Sequence, residues 1–382
     1  MRRRAGGVVL ALLVGAGIAA GWVAARDVPN LAVDPAGAAA APRLRGVFHV
    51  HSDSSHDGRT PAGEQLEAAG RLGLDFVIFT EHDVSPDHDS RGGPLVVAGT
   101  EWSTTYGHLI YVGHPEPPPL ESESTARLRI GLVDSLRARG ALTILAHPAS
   151  PRRPWTGRLA GIGGLEIVSM STDARAKADP IVALLPGLFA LPLNPELALA
   201  QLYRRDATAL GIWDRLEDPA VIGMCGTDAH GWIDPELDFR TWQIVLDPWS
   251  DAPDPLTAAA LLDRLASGRF ICVAALLTDG SPDFSFGGAT PTGGPIPQGA
   301  SVAADSIAAL ETRGPRLTGS GDLTTILFRD GVEVARTTAA SLRRSDPEPG
   351  TYRVEVRVRV PGVLFGGRTV PVIYSNRIRV TE

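Results

Sequence analysis

The sequence predicts a mixed α/β protein: a closed or distorted β/α barrel over residues 43–280, followed by a small all-β, sandwich-like domain over 281–382. In the first part, short continuous apolar runs alternate with helix-like segments, which is typical of a parallel sheet covered on both faces. The number of these units favours a barrel over an open sheet. From about residue 286 the sequence becomes rich in Gly and Pro and then alternates between apolar and polar residues, which indicates antiparallel strands.

The strands and helices of the first domain follow from apolar runs and helix-start signals. Strands are predicted at 44–51, 74–83, 94–102, 107–113, 141–148, 164–170, 220–230, 240–246 and 269–274. Helices are predicted at 61–73, 121–139, 179–186, 196–216 and 255–267. Pro61 in the first turn of the first helix suits a position whose backbone N–H has no partner.

The second domain carries two strand signals. Asp330-Gly331 lies between two strand-like runs and predicts a hairpin. Over 350–360, Tyr and Val alternate with Arg and Glu, so one face is predicted to be buried and the other solvated. The alternative for this row of arginines is an anionic ligand.

The first 26 residues are interpreted as an export signal or an uncleaved membrane anchor. Arg2, Arg3 and Arg4 precede an uncharged apolar run over 5–25, and Arg26 ends it. The run has about the 20 residues that a membrane-crossing helix needs. The sequence therefore predicts an exported protein with a linker over 27–42. A cleaved signal would leave it periplasmic, and an uncleaved anchor would attach it to the membrane through 5–25, facing outward.

Composition argues against several functional classes. The net charge of −7 is unfavourable for a nucleic-acid-binding surface. Lys177 is the only lysine, so no phosphate-binding P-loop is present. Cys225 and Cys272 form no CxxC motif, and both lie in apolar runs. Buried free thiols are the favoured interpretation for them, and a single disulfide is the alternative.

Metal-ligand side chains recur where predicted strands end. They are His49, His51, His82, Glu101, His147, Asp228 and His230. Because the carboxyl ends of barrel strands meet at one mouth, these side chains are expected to converge. Imidazole and carboxylate are ligands for zinc, manganese and iron, and two such ions can bind a phosphoryl group and activate water. With Asp57 added, three carboxylates supply a charge of about −3, which does not neutralise the positive charge of two or three divalent ions. The metal-filled site would therefore attract an anion.

The order and spacing of these motifs resemble the PHP (polymerase and histidinol phosphatase) superfamily over about 230 residues. The matching motifs are His-Val-His at 49–51, Asp57-Gly58, Glu-His-Asp at 81–83, Gly-Thr-Glu at 99–101, His108, Ala-His-Pro at 146–148 and Asp-Ala-His at 228–230. The resemblance implies a distorted (β/α)7, TIM-like barrel with two or three divalent ions (Zn, Mn or Fe). It implies nine metal ligands: His49, His51, Asp57, His82, Glu101, His108, His147, Asp228 and His230.

Details of the resemblance refine this expectation. Glu101 would bridge two ions. Many members have Thr-Asp-His where this chain has Thr-Glu-His at 80–82, which places Glu81 beside the ligands rather than among them. The C-terminal region resembles the sandwich appended to some exported PHP proteins.

The function expected from these features is metal-dependent hydrolysis of a phosphate mono- or diester in a small phosphorylated substrate. The residues expected to carry it are His49, His51, Glu101, Asp228 and His230. Two alternatives are a metal-dependent hydrolase of another bond and a non-catalytic envelope- or glycan-binding protein with structural metals.

Several residues near the motifs have an additional or a purely structural interpretation. His56 is a candidate proton donor or substrate contact, and Arg152 and Arg153 are candidates to hold phosphate. Trp155 would stack on a substrate or simply pack its loop, and Asp83 would orient a histidine or cap a helix. His88 and His114 fall outside the ligand set.

Overall fold

The computed structural model describes residues 14–33, 43–86, 88, 92–113, 133, 136–177, 184–218, 220–278, 280–318 and 321–382. His114 lies outside this described part. So do 34–42 of the predicted linker, most of the helix predicted at 121–139, and 179–183 of the next predicted helix.

The described helices are short, and the fold consists mainly of strands. The strands are β1 Arg45–Val50, β2 Phe76–His82, β3 Leu95–Thr104, β4 Gly107–Val112, β5 Leu142–Ala146, β6 Gly164–Ser169, β7 Ile222–Gly226, β8 Gln243–Leu246, β9 Phe270–Val273, β10 Ser285–Ala289, β11 Pro295–Ile296, β12 Ser301–Ala303, β13 Ala309–Arg313, β14 Leu323–Arg329, β15 Val332–Thr337, β16 Ser341–Ser345, β17 Gly350–Pro361, β18 Gly367–Ser375 and β19 Ile378–Thr381. The helices are α1 over 14–24, α2 Ala62–Arg71, α3 Met170–Lys177, α4 Leu185–Ala190, α5 Pro195–Ala200, α6 Ala207–Asp214, α7 Pro235–Phe239 and α8 Ala258–Ala266.

The mixed α/β class is confirmed, with β1 to β7 adjacent in chain order in one large sheet. The pairs β1–β2, β2–β3, β5–β6 and β6–β7 are parallel. The strand β4 is antiparallel to both β3 and β5, because the short turn after Thr104 reverses the chain and leaves no room for a crossover helix. With the antiparallel β4 and the low helical content, the structure shows a large, mostly parallel sheet and does not show the closed or distorted β/α barrel that the sequence predicted.

The end of β7 lies against the end of β1. The backbone N–H of Thr227 donates to the carbonyl of Phe48 at 3.1 Å, and the N–H of His51 donates to the carbonyl of Ala229 at 2.9 Å. Val50 and Ala229 form a parallel bridge. The first and seventh strands therefore meet at their carboxyl ends, which is where the sequence places its metal-ligand residues.

The large sheet continues across the predicted domain boundary. On the other side of β1 it runs through β8 and β9, and β9 pairs antiparallel with β18. The strands β17, β19, β12, β14 and β15 belong to the same sheet. A separate antiparallel sheet has the order β11–β10–β13–β16. The hairpin predicted at Asp330-Gly331 is confirmed, since Arg329 of β14 pairs with Val332 of β15.

The solvated face predicted for β17 is wrong at two positions. The side chains of Arg353 and Glu355 are buried, because Asp214 at the end of α6 and Arg205 in the segment before α6 cover this face. Arg353 donates to Asp214 at 2.7 Å and to Glu355 at 2.7 Å. Glu355 also accepts from Arg205 at 3.1 Å and from Arg357 at 2.5 Å. These five residues are called the Arg353 network below.

The favoured interpretation of the cysteines as free thiols is also wrong. Cys225 of β7 and Cys272 of β9 form a disulfide, with their Cα atoms 5.7 Å apart. The strands lie far apart in the hydrogen-bonding order, but the sheet curves enough to bring the two buried side chains together. The link joins the strand that precedes Asp228 to the strand that pairs with the C-terminal region.

The N-terminal segment packs on the body of the protein. Val23 is fully buried, and the side-chain amide of Asn194 donates to the carbonyls of Val23 and Arg26 at 3.3 and 2.9 Å. Leu31 bridges to Thr278 and to Leu317. Among the described residues, no helix combines the length and the apolar character needed to cross a membrane.

Candidate metal centre

All nine residues of the expected ligand set come together at one edge of the large sheet, where β1, β2, β5 and β7 have their carboxyl ends and the antiparallel strand β4 begins. His49 and His51 lie at the end of β1, His82 ends β2, and Glu101 and His108 lie on β3 and β4. Asp57 belongs to the loop after β1, His147 follows β5, and Asp228 and His230 follow β7. These nine residues are called the ligand cluster below.

Glu101 is the centre of the ligand cluster. Its two carboxylate oxygens lie near a ring nitrogen of five histidines: His49 at 3.0 Å, His51 at 3.2 Å, His82 at 3.5 Å, His108 at 2.7 Å and His147 at 3.0 Å. Burial alone would raise the pKa of Glu101, but its contacts with His49, His108 and His147 hold the pKa well below the usual range. The side chain is therefore an ionised carboxylate buried among imidazoles, in the position expected for a bridging ligand.

Two further carboxylates complete the ligand cluster. An oxygen of Asp228 lies 3.5 Å from Nε2 of His49 and 3.7 Å from Nε2 of His51. An oxygen of Asp57 lies 3.2 Å from Nε2 of His230 and 3.5 Å from Nε2 of His82. Asp228 is buried, whereas the side chain of Asp57 is 39% exposed. Asp57 therefore marks the solvent side of the site.

Three overlapping groups in the ligand cluster could each hold a metal ion, because their ligand atoms lie within 4.8 Å of one another. The groups are His51, Asp57, His82 and His230; His49, His51, Glu101 and Asp228; and His82, Glu101 and His108. His51 and His82 are each shared by two groups, and so is Glu101. Any ions held in this way would be close neighbours.

Unpaired buried atoms support metal binding by these side chains. Within the described part of the chain, Nδ1 of His82, Nδ1 of His147, Oδ1 of Asp57 and Oδ2 of Asp228 are buried without a hydrogen-bond partner. Nε2 of His51 also makes no hydrogen bond, although it lies 3.2 Å from a Glu101 oxygen. Such atoms are costly unless a ligand or an ion compensates them. Burial lowers the pKa of His51 to about 4, so its ring is neutral and able to coordinate. The nitrogen and oxygen donors fit zinc, manganese or iron.

Comparison with known proteins adds no support to the metal-binding interpretation. No family model matches the chain, and no curated protein shows significant similarity to it. The metal-binding interpretation therefore rests on the buried donor atoms of the ligand cluster. Membership of the PHP superfamily stays an expectation from the motifs.

The backbone at the ligand positions is unusual. His49, His147 and Asp228 have positive φ values of 66°, 28° and 54°, which residues other than glycine seldom adopt. The pairing of β1 with β2 is irregular between Phe48 and Val50. His49 and His51 do converge as expected, but an irregular strand end directs them rather than simple alternation. Backbone strain of this kind persists where surrounding contacts fix it, and it concentrates at functional sites.

Glu166 of β6 is a site residue that the sequence reasoning missed. Its carboxylate lies 2.7 Å from Nδ1 of His49 and accepts from the backbone N–H of His147 at 2.6 Å. It thereby fixes the ring of His49 with Nε2 facing Glu101. A Cβ atom at Gly226 would lie 1.8 Å from this carboxylate, so the neighbouring strand must have glycine there. The available signal was a lone acidic residue inside an apolar run.

Glu81 and Ser55 hold the loop after β1. Glu81 accepts from the backbone N–H of Ser52 at 3.0 Å and from its hydroxyl at 2.6 Å, and it lies 3.0 Å from Nε2 of His88. The hydroxyl of Ser55 lies 3.1 Å from Nδ1 of His51. Glu81 therefore sits beside the ligand cluster, in keeping with its predicted supporting position.

Three arginines surround the mouth of the site. Arg152, Arg153 and Arg175 line a cavity of about 170 Å³ together with residues of the ligand cluster. A guanidinium nitrogen of Arg153 lies 3.2 Å from Nε2 of His108, and one of Arg175 lies 3.7 Å from Oδ2 of Asp228. Arg175 was not expected from the sequence, because it lies on α3 without a motif around it.

The remaining candidates lie at the edge of the site. His56 is exposed, with its ring centre 5.0 Å from that of His82. Trp155 packs against the core and lines a separate pocket of about 300 Å³, in keeping with the loop-packing interpretation. Asp83 accepts from the backbone N–H of Ser103 at 2.9 Å, so it fixes the neighbouring strand.

Proposed function

We propose that this protein is an exported, metal-dependent phosphoesterase of the PHP type that hydrolyses a phosphate mono- or diester. The observation that carries the proposal is the ligand cluster itself: eight of its nine side chains belong to groups that could hold a metal ion, and the ninth, His147, contacts Glu101 at 3.0 Å. Five of the nine have a buried nitrogen or oxygen atom without a hydrogen-bond partner. Part of the proposal is that β1 to β7 form the distorted (β/α)7 barrel of that superfamily, closed by the bridge between Val50 and Ala229.

One group of residues would hold the metal ions, and another would bind the substrate. The ligand cluster would hold two or three divalent ions, with Glu101 between them and Glu166 fixing the ring of His49. Bound ions would supply positive charge for the phosphoryl oxygens and lower the pKa of water.

The mouth of the site favours an anionic substrate. Arg152, Arg153 and Arg175 present guanidinium groups, which bind phosphate oxygens in pairs. The cavity of about 170 Å³ has room for a phosphoryl group, and the rest of the substrate would extend into solvent past Asp57. Binding the anion at this rim orients the phosphoryl group towards the ligand cluster.

Export is part of the same proposal. The apolar run at 5–25 has the composition of a signal or an anchor. The disulfide between Cys225 and Cys272 supports it, since such bonds persist mainly in oxidising compartments.

The test is hydrolysis of bis(p-nitrophenyl) phosphate and p-nitrophenyl phosphate by the full chain supplied with Mn²⁺ or Zn²⁺, together with measurement of bound metal. The variant His49→Ala/His51→Ala should lose both metal and turnover. The variant His56→Ala, which replaces an exposed histidine outside the ligand cluster, should keep its metal.

The outcomes separate the proposed function from its alternatives. Metal-dependent turnover that is lost in the double variant supports the phosphoesterase, and the preferred ester distinguishes a diesterase from a monoesterase. Two or more bound ions without hydrolysis of either ester would favour another bond or structural metals. Absence of bound metal would refute the proposal.

A further inference from the structure

The helix α1 presents apolar side chains to solvent. Val14, Ile18 and Trp22 follow one another at intervals of four residues, so they lie along one side of the helix. All three are exposed, and Ile18 is 69% exposed. Val23 instead faces the protein and is fully buried. The helix is therefore attached to the body by one side and leaves an apolar side uncovered.

Two other segments place apolar side chains beside this helix. The loop between β17 and β18 exposes Leu364 and Phe365, the latter to 87%. The indole N–H of Trp22 donates to the carbonyl of Leu364 at 3.1 Å, which joins this loop to α1. A pocket lined by Leu184, Pro186, Gly187 and the residues 362–365 joins it to α4. On α4, Leu185, Leu188 and Phe189 are exposed.

These side chains form one surface, which we call the apolar face. It consists of Val14, Ile18, Trp22, Leu185, Leu188, Phe189, Leu364 and Phe365. Of the twelve large apolar side chains that are exposed in the described part of the chain, these are eight, and the other four are Val33, Val84, Trp232 and Val332. Clustering of this kind marks an interaction surface, whereas single exposed apolar residues are ordinary.

We propose that the apolar face lies in the interfacial layer of a lipid bilayer, with the loop tip at 364–365 and the helix α4 inserted beside the N-terminal segment. The sequence before Val14 points to lipid as the occupant. It is uncharged from Ala5 onwards, and Arg2, Arg3 and Arg4 precede it. In the sequence, the apolar run of α1 therefore begins nine residues before Val14, directly after three positive charges.

The charge of the neighbouring segments agrees with a membrane partner. No Asp or Glu occurs in 1–26, 184–194 or 361–368 of the sequence. Anionic lipid headgroups would therefore meet no repulsion at this surface. Amphipathic segments bind a bilayer by burying their apolar side about 5–10 Å into the boundary between headgroups and acyl chains. Three anchoring segments would also fix the orientation of the body, which a single flexible anchor cannot do.

The test uses an environment-sensitive dye at the loop tip. Phe365→Cys in the full chain is labelled with a nitrobenzoxadiazole dye, and the protein is reconstituted in phosphatidylethanolamine/phosphatidylglycerol vesicles with and without doxyl-labelled acyl chains. The two native cysteines are buried in a disulfide, so they do not compete for the label. The matched control is Val332→Cys, since Val332 is 66% exposed on β15 and lies outside the apolar face. Leu188→Cys repeats the test on α4.

Doxyl quenching at Phe365→Cys and Leu188→Cys should exceed that at Val332→Cys by about twofold or more, because only the first two positions enter the acyl region. Equal quenching at all three positions would refute the proposal. A second result would also refute the proposal: shielding of the dye at Phe365→Cys from water, in the absence of lipid, that increases with protein concentration. That result would indicate that a second copy of the chain covers this face. Thermal unfolding of each variant establishes that it is folded. The inference does not depend on the proposed phosphoesterase activity.

Discussion

The ligand cluster and the Arg353 network are both buried groups of charged side chains, but they differ in how their charges are compensated. In the network, the Arg353 side chain contacts Asp214 and Glu355, and Glu355 is further compensated by Arg205 and Arg357. In the cluster, carboxylates and imidazoles meet without a buried lysine or arginine among them, and donor atoms are left unpaired.

This difference gives a physical criterion for function. A buried network whose charges compensate one another is complete within the chain, and its loss should affect folding. A buried cluster with unpaired metal-ligand atoms is incomplete within the chain, and its loss should affect what the protein binds. The sequence showed both groups as charged residues in apolar surroundings, and only the contacts distinguish them.

The largest expected effect is on stability, from Arg353→Met. The substitution removes the guanidinium that lies between the buried Glu355 and the half-buried Asp214, so the free energy of unfolding should fall by about 3–5 kcal/mol. Urea unfolding measures the change. Metal content at saturating metal should stay equal to that of the unsubstituted chain, and a loss of metal would contradict the separation of the two groups.

Glu101→Gln should impair metal binding and the stability that bound metal adds, whereas Arg353→Met should impair stability and leave metal binding intact. At a metal concentration 100 times the dissociation constant, the unsubstituted chain should gain about 2.7 kcal/mol of stability from binding. The variant should gain little of this, because the amide cannot supply the charge that lies between five histidines. Thermal unfolding with and without Mn²⁺ measures the difference. A full metal-induced shift in the variant would show that Glu101 is no ligand.

Glu166→Gln should have a smaller effect on binding. Glu166 orients the ring of His49 without belonging to the three metal-holding groups, so metal affinity should fall by about 10–100-fold rather than disappear. Competition with a chromophoric chelator measures this affinity. An unchanged affinity would mean that the ring of His49 is held by its other contacts.

The smallest expected effect is on the acid dependence of stability. Burial opposes ionisation of Glu355, but Arg353, Arg205 and Arg357 hold its pKa below the usual value. A lowered pKa in the folded state stabilises the protein above the unfolded pKa of about 4.3, and this contribution is lost as the pH falls through the folded value. Urea unfolding from pH 6 to pH 3 should therefore show a shallower decline in Arg353→Met. If the free energy of unfolding declined equally with pH in the variant and in the unsubstituted chain, the acid sensitivity would come from other carboxylates.

The sequence predicted the site better than the fold. Strand-end motifs are local, so residues such as His82 and His147 could be placed on a common edge before the structure was known. Glu101 could be predicted as a bridge from the resemblance, and it lies between the histidines. Glu166 and Arg175 were missed because each reaches the site from an element whose sequence has no motif around it.

The fold was harder to predict because pairing between distant strands has no local signature. The apolar runs of β4 and β5 indicate strands but not their direction, and the short turn before Gly107 decides it. The burial of Arg353 depends on Asp214, which lies 139 residues away in the sequence. The disulfide likewise joins residues 47 positions apart.

The left-handed backbone at His49, His147 and Asp228 restricts which mutations the protein can survive with its site intact. Asparagine and glycine tolerate this conformation, but neither supplies the same donor atom to a metal. Bulky or β-branched replacements would add backbone strain to the loss of the ligand. Single substitutions at these positions thus divide into those that yield a folded, metal-free protein and those that also destabilise it. Descendants of this chain that exchanged such a ligand for Asn or Gly would keep the fold and remain available for a new role.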